Sequence, residues 1–146
     1  MNEKKIRNGT LDDAHECTDI VNSWINKTNW MPRNFSENEL LRMLREAIPQ
    51  REFLVIGKPI SGYISFNKKE SQVTALYTRN PGSGDGKLLL DKIKERKKYI
   101  KLWSHTENTK AHRFYLREDF NILGQKKSGL DGIPETLFVW QRNKEW

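Results

Sequence analysis

The stretch QVTALYTRNPGSGDGKLLL, residues 72–90, changes character twice. Gln72 to Thr78 is rich in β-formers and aromatic residues and reads as a central strand. Arg79 to Gly86 carries Pro81 with Gly82, Gly84 and Gly86, and cannot be regular structure. From Lys87 to Lys97 a helix resumes, with Leu89, Leu90 and Ile93 inward. A glycine turn between a strand and a helix is a place where anions bind. The first helical turn has unpaired N–H groups and the positive dipole end, and glycines let an anion approach the backbone. A plain glycine-rich turn of the same position is the other reading. Two phosphate motifs fail here. A P-loop would need Gly where Pro81 stands and a hydroxyl where Leu88 stands. A dinucleotide fingerprint needs GxGxxG in the first βα unit, and this is GxGxG late in the chain.

Outward from that loop, the pattern predicts one continuous α/β unit over residues 4–146. A short strand lies near Lys5–Arg7, and a helix follows from about Leu11 to Ile25, with Leu11, Ala14, Thr18, Val21, Trp24 and Ile25 on one face. Pro32 interrupts helix. Ser36 and Glu39 have capping-box spacing and open a second helix that Pro49 ends. Strands follow at Phe53–Ile56, Gly62–Phe66 and Gln72–Thr78. After the glycine loop and its helix come a strand at Ile100–Ser104, a helix at Thr109–Arg117, and strands near Asn121–Gln125 and Thr136–Gln141. The predicted order is β-α-α-β-β-β-α-β-α-β-β, an α/β class with a mixed sheet flanked by helices.

Composition bounds the function. The 146 residues suit one domain. A mean hydropathy of −0.83 excludes an integral membrane protein, and five Trp, four Tyr and six Phe argue against disorder. A net charge of +7 favours anionic partners. The basic residues are scattered and no RNA-recognition motif accompanies them, so nucleic acid is not the expected partner. One cysteine, Cys17, excludes a disulfide framework and a cysteine-based zinc site and reads as a small buried hydrophobe. No metal is expected. The absence of a signal-like segment after Met1 and of any long apolar run leads to an expectation of a cytoplasmic protein with no membrane partner. The Lys94–Lys98 cluster reads as a solvated helix end.

The second half is more specific. Leu102-Trp103-Ser104-His105-Thr106-Glu107-Asn108, then Ala111, then Phe114-Tyr115 and Asp119-Phe120, resembles the N-x-x-A-x-x-F-Y-x-x-x-G-F motif of the GNAT superfamily of acetyl-CoA-dependent N-acetyltransferases. Leu76-Tyr77-Thr78 with Gly84-Asp85-Gly86 and Leu89-Leu90 looks like the family motif that precedes it, and Ile6-Arg7 with Thr10 and Asp13 looks like its first strand and helix start. The resemblance implies a GNAT-like acyl-CoA N-acyltransferase fold. It also implies transfer of an acetyl group from acetyl-CoA to a primary amine, by direct attack and without a covalent enzyme intermediate. Two positions depart from the family. Pro81 stands where Arg or Gln usually precedes the paired glycines, so that Arg79 fits only if Gly82 and Gly84 are the pair. Asp119 stands where Gly is common, and Asp tolerates positive φ at modest cost.

By that resemblance, Gly82, Ser83, Gly84, Asp85, Gly86 and Lys87 hold the coenzyme A pyrophosphate, and Leu76, Tyr77 and Thr78 pair with the pantetheine arm. Asn108 and Ala111 contact the same arm, although Asn108 also fits a plain helix N-cap. Tyr115 is the family's proton donor to the departing thiolate, or else a core ring beside Phe114. No carboxylate lies between Gln72 and Thr78, so deprotonation of the amine is expected through water. His105 is a candidate base, or else an exposed strand-end residue. Trp30 and Arg33 fall where the family's acceptor site usually lies, or else in a loop that packs an aromatic residue under the sheet, and Leu130–Glu135 would form the opposite wall. A compact chain favours a small-molecule amine over a peptide amine. Dimers are common in the superfamily, which leaves a homodimer open. The alternative function is a non-catalytic acyl-CoA-binding or sensor module of the same fold.

Overall fold

A computed structural model describes residues 4–126, 128–129 and 132–142. The elements follow the predicted order: β1 (Ile6–Asn8), α1 (Ala14–Lys27), α2 (Glu37–Gln50), β2 (Glu52–Ile56), β3 (Gly62–Asn67), β4 (Gln72–Thr78), α3 (Asp85–Lys94), β5 (Tyr99–His105), α4 (Thr109–Arg117), β6 (Asn121–Lys126) and β7 (Glu135–Gln141). A 3-10 turn at Leu11–Asp13 precedes α1. One seven-stranded mixed sheet runs β1-β2-β3-β4-β5-β7-β6, with β4 and β5 its parallel pair. Among the described residues no helix is long and apolar enough to cross a membrane.

Local chemistry sets the ends of these elements. The Ser36 hydroxyl accepts from the Glu39 N–H at 3.1 Å and the Glu39 carboxylate accepts from the Ser36 N–H at 3.0 Å, the reciprocal cap predicted for α2. The Asp13 carboxylate takes both arms of the Arg7 guanidinium at 2.8 Å and the Thr10 N–H at 2.8 Å, which fixes the turn from β1 into α1. Asp119 has φ 70°, the left-handed conformation that the motif's usual Gly would take freely, and it ends α4.

Each face of the sheet carries its own core. On one face α3 and α4 pack Leu89, Leu90, Ile93 and Tyr115 against Leu54, Ile56, Ile64, Phe66, Val73, Ile100 and Leu102. On the other, α1 and α2 pack Ala14, Cys17, Ile20, Leu40, Leu44 and Ile48 against Phe53, Val55 and Tyr63. Burial pushes the Cys17 thiol up to about 12, consistent with the inert packing role expected for it.

Four expectations need correcting. The helix after the glycine loop spans Asp85–Lys94, not Lys87–Lys97, because Gly84 at φ 92° already serves as its N-cap. Leu11 is 56% exposed rather than inward, since it lies in the 3-10 turn, out of phase with α1. Pro49 is the penultimate residue of α2 and does not stop it; the helix runs on to Gln50. The lysine cluster also differs. Lys94 donates to the Glu118 carbonyl at 2.7 Å and lies over the Phe120 and Trp140 rings. Lys97 pairs with Glu52 at 3.0 Å and lies over Phe66. Their long stems cover apolar surface while the ammonium groups find partners.

Candidate active site

A break in the sheet makes the site. β4 and β5 pair only at Gln72↔Lys101 and Val73↔Leu102. Beyond these, β4 stays with β3 as far as Thr78↔Gly62, and β5 stays with β7 as far as His105↔Glu135. The two strands therefore part, and a cleft of about 660 Å³ opens between Val73–Thr78 and Leu102–His105. That volume is typical of a small-molecule site.

A bulge in β4 gives the cleft two different sides. Ser65 pairs with Ala75 and Phe66 with Val73, so Thr74 is an extra residue in β4. Its hydroxyl bonds to the Ser65 carbonyl at 3.1 Å and to the Ser65 hydroxyl at 3.0 Å. Side chains of a regular strand alternate, so Val73, Ala75 and Tyr77 would share a face. The extra residue resets the phase. Val73 and Leu76 face α3 and α4, while Ala75 and Tyr77 face α1 and α2.

On the α3 side, Pro81, Gly82, Ser83, Gly84, Gly86 and Lys87 line the cleft. Gly82 and Gly84 have φ 87° and 92°, and a Cβ on either would meet nothing within 4 Å. These glycines are needed for backbone conformation rather than for room. Gly84 has no side chain to cap α3; in the first turn the Asp85 N–H donates to the Ser83 hydroxyl at 3.4 Å, and the N–H groups of Gly86 and Lys87 remain open to an anion. A glycine-rich backbone at the positive end of a ten-residue helix suits a pyrophosphate. Asp85 does not line the cleft with its side chain. That carboxylate is buried and bonds the Lys4 ammonium at 2.6 Å, which ties the chain ahead of β1 to the start of α3. Arg79 turns away as well, its Nε donating to the Ile60 carbonyl at 2.9 Å.

α4 supplies the rest of that side. Asn108 caps α4 by accepting from the Ala111 N–H at 3.2 Å, and both residues also line the cleft. Tyr115 is 8% exposed, packed among Phe114, Phe120 and Phe138, and reaches the cleft. Burial, with the Tyr77 phenol nearby, pushes its hydroxyl above the usual phenol range, so it keeps its proton. The sequence reading missed Lys110, Arg113 and Arg117, which line the cleft from one stripe of α4. Their three- and four-residue spacing was the available signal.

The side facing α1 is aromatic. Trp24, Tyr77 and His105 line it. Trp24 stacks on His105 (6.0 Å, 18°) and meets Tyr77 edge-on at 5.4 Å. Trp30 stands behind them, 5.7 Å from Trp24 and 5.4 Å from His105. Arg33 does not reach the cleft. It bonds the side chains of Asn22 and Asn26 and the Phe35 carbonyl, strapping the loop after α1 back onto that helix. Of the expected opposite wall, Leu130 and Asp131 lie outside the described residues.

No family model matches the sequence, and no curated protein matches it. Solved structures do. yncA of Salmonella typhimurium, solved with its cofactor acetyl-CoA, is similar at 18% identity and TM-score 0.75, over 99% of this chain and 96% of that one. The GCN5-related N-acetyltransferase of Rhodopseudomonas palustris has TM-score 0.78 at 13% identity, over 97% and 98% of the two chains. Ard1 of Thermoplasma volcanium has TM-score 0.74 at 17% identity, over 97% and 99%. With these likenesses running the length of the chain, the fold of this chain is that of the GNAT acetyltransferases.

Proposed function

We propose that the protein transfers an acetyl group from acetyl-CoA to the primary amine of a small molecule. The observation that carries this reading is the continuity of the cleft. One opening in the sheet joins an anion-binding helix start, an exposed strand edge and a buried phenol. When bound, acetyl-CoA supplies a thioester whose C–S bond breaks as a C–N bond to the amine forms, one proton leaving nitrogen and one reaching sulfur.

The chain's own groups divide that work. The N–H groups of the glycine loop and the first turn of α3 hold the pyrophosphate, helped by the cations along α4. The edge of β4 left bare by the parting of β5 pairs with the pantetheine amides, and a backbone N–H there polarises the thioester oxygen. Tyr115 holds a proton on the side from which the thiolate leaves. Burial disfavours charge on a phenolate as it would on a departing thiolate, so Tyr115 stays protonated and would serve as the proton source for the sulfur. His105 is on the opposite side, where the amine arrives and loses its proton through water.

Calorimetric titration with acetyl-CoA, followed by thiol-release assays on an amine panel, tests the reading. Micromolar binding with amine-dependent thiol release is expected. Binding with no release from any amine would make the chain an acyl-CoA-binding module. No binding at millimolar acetyl-CoA would refute the assignment.

A further inference from the structure

From the ring cluster on the α1 side we infer the class of acceptor: a monoamine carried on an aromatic or flat apolar body. The inference rests on the acetyl-transfer reading and goes further in naming what occupies the second side of the cleft. Trp24 is the centre of the cluster, touching Tyr77, His105 and Trp30, and three of these four rings form cleft surface. All four are half-buried, neither sealed in a core nor free in solvent. The Trp24 indole and the Tyr77 phenol, with Trp30 behind them, present polarisable surface that takes another ring edge-to-face, and ring faces that attract an ammonium group. A small hydrophilic amine would leave that surface wet.

Charge narrows the class. Lys87, Lys110, Arg113 and Arg117 line the same cleft, and the only acid lining it among the described residues is Glu118, paired with Lys87 at 3.0 Å on the α3 side. On the ring side itself no carboxylate among the described residues lines the cleft to pair a second or third ammonium, while a single ammonium is met by the ring faces.

The test compares 2-phenylethylamine, butylamine and spermidine as acceptors. Thiol release gives kcat and KM, and calorimetry gives acetyl-CoA affinity for each variant. We expect kcat/KM for 2-phenylethylamine at least about tenfold above that for butylamine, the worth of one good aromatic contact, with spermidine the poorest. Trp24→Ala should raise KM for 2-phenylethylamine about tenfold with little change in kcat or acetyl-CoA affinity. Trp30→Ala, one layer back, should do the same to a smaller extent and serves if Trp24→Ala does not fold. Equal use of butylamine, or preference for spermidine, overturns the inference and leaves acetyl transfer standing. If acetyl-CoA fails to bind, the transfer reading falls. The wall is then tested on the free protein by NMR, where millimolar 2-phenylethylamine should shift the indole signals of Trp24 and Trp30. Unmoved signals would refute the ring-wall assignment too.

Discussion

The two sides of the cleft are made of different material. Apart from the side chains that α4 adds, the α3 side is backbone: glycines at positive φ, the open N–H groups of Gly86 and Lys87, and a strand edge. The α1 side is side chain: Trp24, Tyr77 and His105 on three separate elements, with Trp30 behind. Backbone geometry is hard to vary without losing the fold, so it suits a ligand that does not change. Side chains can be exchanged one at a time, so they suit the ligand that distinguishes one enzyme from the next. On the reading proposed above, the constant ligand is acetyl-CoA and the variable one is the amine.

That division can be broken experimentally. The largest effect should come from Tyr115→Phe. Loss of a positioned proton donor should cut thiol release about 100-fold while acetyl-CoA affinity and thermal stability stay near wild type. Equal loss of binding would show the ring to be structural. Next is Gly84→Val, which puts a β-branched residue at φ 92°. Acetyl-CoA affinity should fall by at least about tenfold by calorimetry, along with some stability, roughly 2 kcal/mol. The preference among acceptors measured on saturating acetyl-CoA should be unchanged, because the other side of the cleft is untouched.

A third variant loosens the support beneath the backbone side. Burial alone would raise the Asp85 carboxyl, but hydrogen bonds from Lys4, Ser61 and Ser83, with the charge of Lys4, outweigh it and hold it below the ordinary aspartate range. Asp13 is likewise depressed, first by its hydrogen bonds to Arg7. A carboxyl depressed by folding stabilises above its unfolded value, near about pH 4, and that contribution is lost as pH falls through the folded value. Acid should therefore unfold the protein below about pH 4. Lys4→Met takes the cation from the buried Asp85 carboxylate and leaves it the Ser61 and Ser83 hydroxyls, and should cost about 1–2 kcal/mol at neutral pH, less than a fully buried pair because Lys4 is itself 41% exposed. It should also move the acid midpoint upward, as followed by circular dichroism. An unmoved midpoint would mean that the pair contributes little. The smallest effect is a control outside both sides of the cleft. Asp119→Gly relieves positive φ and should raise Tm by about 2–4 °C with activity unchanged.

What the sequence disclosed follows the same division. The bounds of β4 and α4, the reciprocal cap at Ser36 and Glu39, and positive φ at Asp119 were all readable, because each is decided by residues a few positions apart. Non-local contacts were not. Trp24 has the spacing of an inward helix residue, and only the placement of Tyr77 and His105 beside it makes it cleft surface. Arg33 follows α1 in the expected acceptor segment, yet it is consumed by Asn22 and Asn26 one and two turns back on that helix. Asp85 lies inside the glycine motif, but its side chain answers to Lys4, from the far end of the sequence. Lys94 and Lys97 look like solvated charge because the rings beneath them come from β3, β7 and the turn after α4.

The extra residue at Thr74 makes β4 behave like a message with a frameshift built in. Upstream of it the odd-numbered Val73 looks toward one core; downstream the odd-numbered Ala75 and Tyr77 look toward the other. Deleting Thr74 would restore simple alternation and leave every outlook as it is, Val73 and Leu76 toward the α3 core and Ala75 and Tyr77 toward the α1 core. What would go is the bend and added twist that a bulge gives its strand, one residue past the last pair of β4 with β5. Many substitutions at position 74 should therefore be accepted, while loss of the residue should let β4 run on beside β5 and narrow the cleft.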